Sequence, residues 1–313
     1  MKYFVKKAVS LIIILLIVSL LAFLAFQIIP GDPTTKLLGT QYTPERAAQM
    51  REALGLNRPV IIRYFDWLKG FLTGNMGISY NYSITVKEML ADKVPITLIL
   101  TAMSFVIITV VSIPLGILLA KNEGTWIDRI FTTLNQIIMS IPPFFIGIVL
   151  SYIFSIVLKF FVHGQFISYT DDPAAFFKYM IFPAVSIAIP RIAMTVKLLR
   201  SSILGEMDKD YVRTAYSRGN SRNATLYRHV LKNAIVPVVT FLALTIADIV
   251  AGSIIVEQVF AIPGLGRLLV KSIFNRDFPV VQAIVVILAF IVVFVNTAAD
   301  IINQRIDPRL KLR

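Results

Sequence analysis

The sequence predicts an all-α integral membrane protein with about six spanning helices. Three observations predict it. Of 313 residues, 57% are hydrophobic and the mean hydropathy is +0.76, whereas soluble domains are only about 45–50% apolar. The apolar residues gather into runs near the ~20 residues that cross a hydrocarbon core. Most lysines and arginines lie between those runs or outside them.

The first run, residues 8–29, follows Lys2, Lys6 and Lys7. A cleaved signal peptide is the competing reading, but its apolar core would be only about 7–15 residues and end in small residues. This run is longer and ends in Gln27-Ile28-Ile29-Pro30, so an uncleaved span is expected. Residues 30–95 read as an extracytoplasmic loop region of mixed charge, opened by the helix breaker Pro30-Gly31-Asp32-Pro33. Within it, Trp67, Leu68, Phe71 and Leu72 form an amphipathic patch expected to rest on the pore or the membrane surface. The second span is expected over residues 96–120 and the third over about 130–161. Pro142-Pro143 removes two backbone donors in the middle of the third, so a break or kink is expected there. The fourth span covers about 179–199 with Pro183 and Pro190, the fifth 235–256 and the sixth 280–302. Residues 96–302 therefore form the core, with a polar loop at 200–234, and 303–313 form a tail.

The formal charge of +13 would point to nucleic acid in a soluble chain. Here it reads as the positive-inside bias of a membrane protein. The cations are not interleaved with aromatics as a single-strand binder requires, so no nucleic-acid partner is expected. Lys2, Lys6 and Lys7, the loop cations Lys197, Arg200, Lys209, Arg213, Arg218, Arg222, Arg228 and Lys232, and the tail's Arg305, Arg309, Lys311 and Arg313 fall on one side if the spans are even in number. That side is expected to be cytoplasmic, with both termini.

Several chemistries are excluded. There is no cysteine, hence no disulfide and no thiolate chemistry. There is no Gly-x-x-x-x-Gly-Lys-Ser/Thr loop and no Gly-x-Ser-x-Gly. The two histidines, His163 and His229, are expected on opposite sides of the membrane and offer no metal set. No catalytic residue, metal site or bound cofactor is expected in this chain. If the chain does work that needs ATP, that energy would have to enter through a partner.

The segment 208–232 is the most informative polar stretch. Asp210 is expected to cap a short helix over 211–218, and Gly219 suits the left-handed residue that ends it. Ser221 is expected to cap a second helix, 222–235, leading through Pro237 into the fifth span. Val212, Ala215, Tyr216, Leu226, Tyr227, Val230 and Leu231 have helical spacing. The residues alone leave two readings open: an amphipathic linker on anionic lipid, or a docking element.

This stretch resembles the EAA loop of ABC-importer permeases, in the form found in the dipeptide, oligopeptide and nickel family. The pattern fits Arg213-Thr214-Ala215, three residues, then Gly219. Arg213 stands where the general motif has glutamate. His229-Val-Leu-Lys232 stands where it has Ile-x-Leu-Pro, the proline coming later at Pro237. Both departures are similar to that subfamily. Further family-like stretches are Pro30-Gly-Asp-Pro33, Leu54-Gly-Leu-Asn-Arg-Pro59, Trp67-Leu68 with Gly77-Ile-Ser79, Ile113-Pro-Leu-Gly116, Glu257 through Gly266, Arg276-Asp-Phe-Pro279, Asn296, Asp300 and Asp307-Pro-Arg309. The resemblance implies the type I importer fold, in the bacterial or archaeal inner membrane, and the first of two paralogous permeases. It implies four partners besides lipid: the second permease, two cytoplasmic ATPase subunits that hold ATP and Mg, and an extracytoplasmic solute-binding protein. It implies ATPase-coupling roles for Tyr211, Arg213, Thr214, Ala215, Arg218, Gly219, Leu226 and Arg228. The implied solute is a di- or oligopeptide; nickel, a metal chelate or glutathione is the alternative within the class. A stand-alone carrier or channel is the remoter alternative.

Five ionisable residues lie in or beside spans: Lys159, Arg191, Asp248, Glu257 and Asp300. Each would cost roughly 2.5–3.5 kcal/mol at a helix centre. Lys159, Glu257 and Asp300 fall near span ends and are expected to snorkel or cap. Asp248 and Arg191 are expected roughly 20 Å and 18 Å in, near the middle of a ~30 Å core. Either they pair and fix helix packing, or they line the pathway and meet a zwitterionic solute. Glu257 with Pro263, Gly264 and Gly266 is similar to the family's outer loop, where the glycines would allow a tight reversal; a plain turn is the other reading.

Overall fold

The computed structural model describes residues 2–28 and 33–306. Pro30-Gly31-Asp32 and Asp307-Pro-Arg309, with the remaining tail cations, lie outside the described residues, as do the side chains of Lys2, Lys6 and Arg305. The described chain is helical; Ile78 and Thr85 form an isolated antiparallel bridge. In order come α1 (Lys2–Ile28), α2 (Pro33–Leu38), α3 (Pro44–Ala53), α4 (Val60–Leu72), α5 (Val86–Ala91) and α6 (Lys93–Lys121). Then follow α7 (Trp126–Met139), α8 (Pro143–Ser151), α9 (Pro173–Met207), α10 (Asp210–Ser217), α11 (Arg222–Thr225), α12 (Leu231–Ala234), α13 (Val236–Val259), α14 (Leu265–Phe274) and α15 (Phe278–Ile306). The expected loop region 30–95 thus carries four short helices, started by local caps such as Thr43 and Thr85.

Among the described residues, four helices are long and apolar enough to cross a membrane: Val86–Lys121, Pro173–Met207, Val236–Val259 and Phe278–Ile301. α1 holds a shorter apolar stretch, Val9–Ala25. The expected third span is broken: Trp126–Met139 and Pro143–Val157 meet at 100°. The tandem prolines explain the break. Pro142 is extended (φ −62°, ψ 143°) and Pro143 opens α8, where a missing N–H costs nothing. Single prolines behave differently, since Pro114 stays inside α6, and Pro183 and Pro190 stay inside α9.

The chain divides into two compact units. One holds the residues up to 97 with Pro263–Phe294; the other holds Leu98–Ile262 with the chain from Val295 onward. In the first unit α4 packs on α1. Ser19 and Tyr64 share a 2.9 Å hydrogen bond, and the Phe23 ring meets Tyr64 edge-on at 5.6 Å. The patch read from sequence is therefore partly covered by the chain itself. Asp277, fully buried before α15, ties the 79–82 loop in place. It accepts from the Ser79 hydroxyl at 2.5 Å and the Tyr80 N–H at 3.0 Å.

In the second unit α9 is the central helix, with α7, α8 and α13 packed on it. Gly116 of α6 lies so close to α9 that an added Cβ would sit 2.9 Å from the Leu199 side chain. Two expectations change here. Glu257 neither snorkels nor reaches water; it is fully buried in α13. The tight reversal after α13 is made by Ala261 (φ 54°), not by the glycines. Gly264 is extended (φ −95°, ψ −173°) and precedes α14, and Gly266 is buried inside it.

Candidate coupling and translocation sites

α10 begins at Asp210 itself. Lys209 holds the cap position without a side-chain hydrogen bond, so the expected Asp210 cap does not form. Asp210 instead pairs with Arg213 one turn on, at 3.7 Å. The C-terminus ends as expected. Gly219 is left-handed (φ 84°), its N–H donates to Tyr216, and the Asn220 N–H donates back to Ala215. Those two bonds satisfy carbonyls the helix leaves open. The Ser221 hydroxyl accepts from the Ala224 N–H at 3.3 Å, the expected cap. The second helix is interrupted by a wide turn over Leu226–Val230 before α12 and α13.

These local choices sort the expected coupling residues. Val212 (0% exposed), Ala215 (6%) and Leu226 (4%) pack inward. Arg213, Thr214, Arg218, Gly219 and Arg228 face out, with Tyr216 and Tyr227. Tyr211 is half-buried and donates to Glu206 at 2.6 Å, and Glu206 also holds Lys209. Burial pushes the Tyr211 hydroxyl above its usual pKa, and the nearby Glu206 adds to that, so it remains a neutral donor. A recess of about 270 Å³ opens between Tyr211, Thr214, Ala215, Arg218, Asn220 and His229. The exposed charges here are Lys209, Arg213, Arg218, Arg222, Arg228 and Lys232 against Asp208 and Asp210. The surface is basic.

Inside the spans, Arg191 of α9 and Asp248 of α13 meet at 3.0 Å. The pair forms, but it is not sealed: the Asp248 side chain is 54% exposed. It sits in an exposed stripe of α13 with Pro237, Leu244, Ala251 and Ile255, spaced as one helical face. A carboxylate at that depth is costly against hydrocarbon. That face of α13 therefore meets water or another protein.

Arg200 and Asp128 form a buried-acid pair that local sequence does not mark. Arg200, near the end of α9, donates through Nε and Nη2 to the two oxygens of Asp128, each at 2.7 Å. Asp128 also accepts from the Gly124 N–H at 3.0 Å and is 4% exposed. From the sequence Arg200 was one loop cation among several. The partners lie 72 residues apart, and only the Thr125 cap marked the start of α7.

A family model described as the inner membrane component of binding-protein-dependent transport systems matches residues 112–312. That stretch contains the bent span, the Arg191–Asp248 and Arg200–Asp128 pairs and the α10 loop. The chain belongs to this permease family. The family's N-terminal model matches residues 1–101 of the permease. It is 33% identical over 309 residues to the probable peptide ABC transporter permease protein y4tP of Sinorhizobium fredii, covering 99% of each chain. It is 35% identical over 312 residues to the oligopeptide transport system permease protein AppB of Bacillus subtilis, again covering 99% of each. The nickel import system permease protein NikB of Staphylococcus aureus is 29% identical over 315 residues, covering 100% of this permease and 92% of that one. The permease is thus a multi-pass membrane subunit of the ABC-importer type, related to both peptide and nickel members.

Proposed function

We propose that this permease forms half of the pore of an importer for di- and oligopeptides, and that α10 with its glycine turn is the lever on which a separate nucleotide-hydrolysing subunit acts. The orientation of α10 carries the lever reading. A helix lying on lipid buries its apolar face in the bilayer. Here Val212 and Ala215 are buried within the chain, and Arg213, Thr214, Tyr216 and Arg218 are turned outward. A polar, basic helix face held rigidly by its own unit suits a groove on a folded partner. The complex would contain a second, paralogous permease, two ATPase subunits and an extracytoplasmic binding protein, with α10 and both termini on the cytoplasmic side.

Peptide is favoured over nickel because the 33% and 35% relatives carry peptide names and the nickel relative is at 29%. The Arg191–Asp248 pair fits that cargo. A peptide brings an ammonium for Asp248 and a carboxylate for Arg191, so its termini can exchange with the internal pair as it passes. The outer turn with Glu257, Pro263, Gly264 and Gly266 is proposed as part of the pore mouth, with the buried Glu257 in a packing role.

Copurification tests the lever. The ATPase should stay bound in detergent and be lost on Gly219→Pro or Ala215→Asp. A lone permease that conducts solute without nucleotide would contradict the proposal. Uptake of nickel instead of labelled peptides would leave the lever and change the cargo.

A further inference from the structure

The Asp128–Arg200 pair lies where the lever meets the bent span. Arg200 stands two turns before the end of α9, and α10 begins three residues after that end. Asp128 is in the first turn of α7, which leads across Pro142-Pro143 into α8. α7 also packs along α9, and packed helices can slide past one another. A bidentate guanidinium–carboxylate fork does not slide, because its two parallel bonds fix orientation as well as distance. Asp128 is held further by the Gly124 N–H at 3.0 Å and the Thr132 hydroxyl at 3.5 Å. A buried ion pair gains little over well-packed apolar residues of the same volume. What such a pair supplies here is a fixed angle between two helices.

We infer that Asp128 and Arg200 are positioning residues, the joint that carries motion of the α10 lever to the bent span α7–α8. Displacement of α10 moves the end of α9, the fork turns α7 with it, and the break at Pro142-Pro143 converts that turn into movement of α8. α8 is a useful endpoint. It packs on α9 and α13, the helices that carry Arg191 and Asp248, and Gly147 lies so near that an added Cβ would come 3.0 Å from Phe260. The inference rests on the reading of α10 as the lever.

The natural absence of cysteine allows a clean test. Single spin labels are placed at Ser217→Cys on α10 and at Phe145→Cys on α8, both exposed. The assembled complex in nanodiscs is compared without nucleotide and trapped with ATP and vanadate. In the parent both labels should change. In Asp128→Asn, and in Arg200→Lys, which keeps the charge but not the fork, the Ser217 label should still change and the Phe145 response should be lost. Peptide uptake should fall with it while ATP hydrolysis continues. If Asp128→Asn does not assemble, Arg200→Lys decides. A Phe145 response of parental size in the variants overturns the joint and leaves the lever standing. A silent Ser217 label in the parent overturns the lever, and the joint with it.

Discussion

Arg191 and Arg200 lie on the same helix, nine residues apart, and each meets an aspartate, yet the two pairs are built differently. Arg200 grips both oxygens of a buried carboxylate at 2.7 Å, with backbone and hydroxyl donors filling the remaining sites. Arg191 makes a single 3.0 Å contact with a carboxylate whose side chain is 54% exposed. Residue type does not separate them; the number of donors and the burial of the acid do. A two-bond fork onto a buried carboxylate resists exchange. A single contact facing open space can be traded for another partner. One helix therefore carries a two-bond fork on a buried acid near its end and a single contact to a half-exposed acid at its middle.

The comparison breaks most readily at Asp128. Asp128→Ala leaves Arg200 without its acid and should destabilise the purified permease by about 3 kcal/mol, read as a large drop in detergent-unfolding temperature. Asp248→Ala should cost less than about 1 kcal/mol by the same measurement, because half-exposed pairs contribute little. It should nonetheless lower peptide uptake in reconstituted vesicles without preventing assembly, and unchanged uptake kinetics would remove its pathway role. Lysine sharpens the contrast. Arg191→Lys, which needs only a point charge, should keep most uptake, whereas Arg200→Lys should not. The smallest effect on function is expected at the turn after α10. Ser221→Ala removes one cap hydrogen bond and should cost about 1 kcal/mol, with coupling retained in the ATPase copurification.

Much of this was legible in local pattern. Of the six apolar runs, four form helices long enough to cross a membrane among the described residues, the first holds the shorter stretch Val9–Ala25, and Pro142-Pro143 marks the break in the third. Gly219 and Ser221 gave the turn between α10 and α11. What the chain does over long separations was not legible. Asp128 and Arg200 are 72 residues apart, and Ser79 and Asp277 are 198 apart. Each looked like an ordinary polar residue until packing supplied its partner. The burial of Glu257 is not legible in its span-end position, because it depends on neighbouring elements. The left-handed residue at Ala261 was missed because nearby glycines gave the stronger local signal. In segment 208–232 the sequence marked the helix, glycine turn and helix but not which side of α10 faces out. That came from seeing Val212 and Ala215 buried within the chain.

The lever itself is tested most directly by peptide uptake into liposomes containing the assembled complex, supplied with ATP or with a non-hydrolysable analogue. Uptake that requires hydrolysis, and that vanishes with Gly219→Pro while the permease remains folded in the membrane, is the expected result. Equal uptake with the analogue, or from the permease alone, would contradict it.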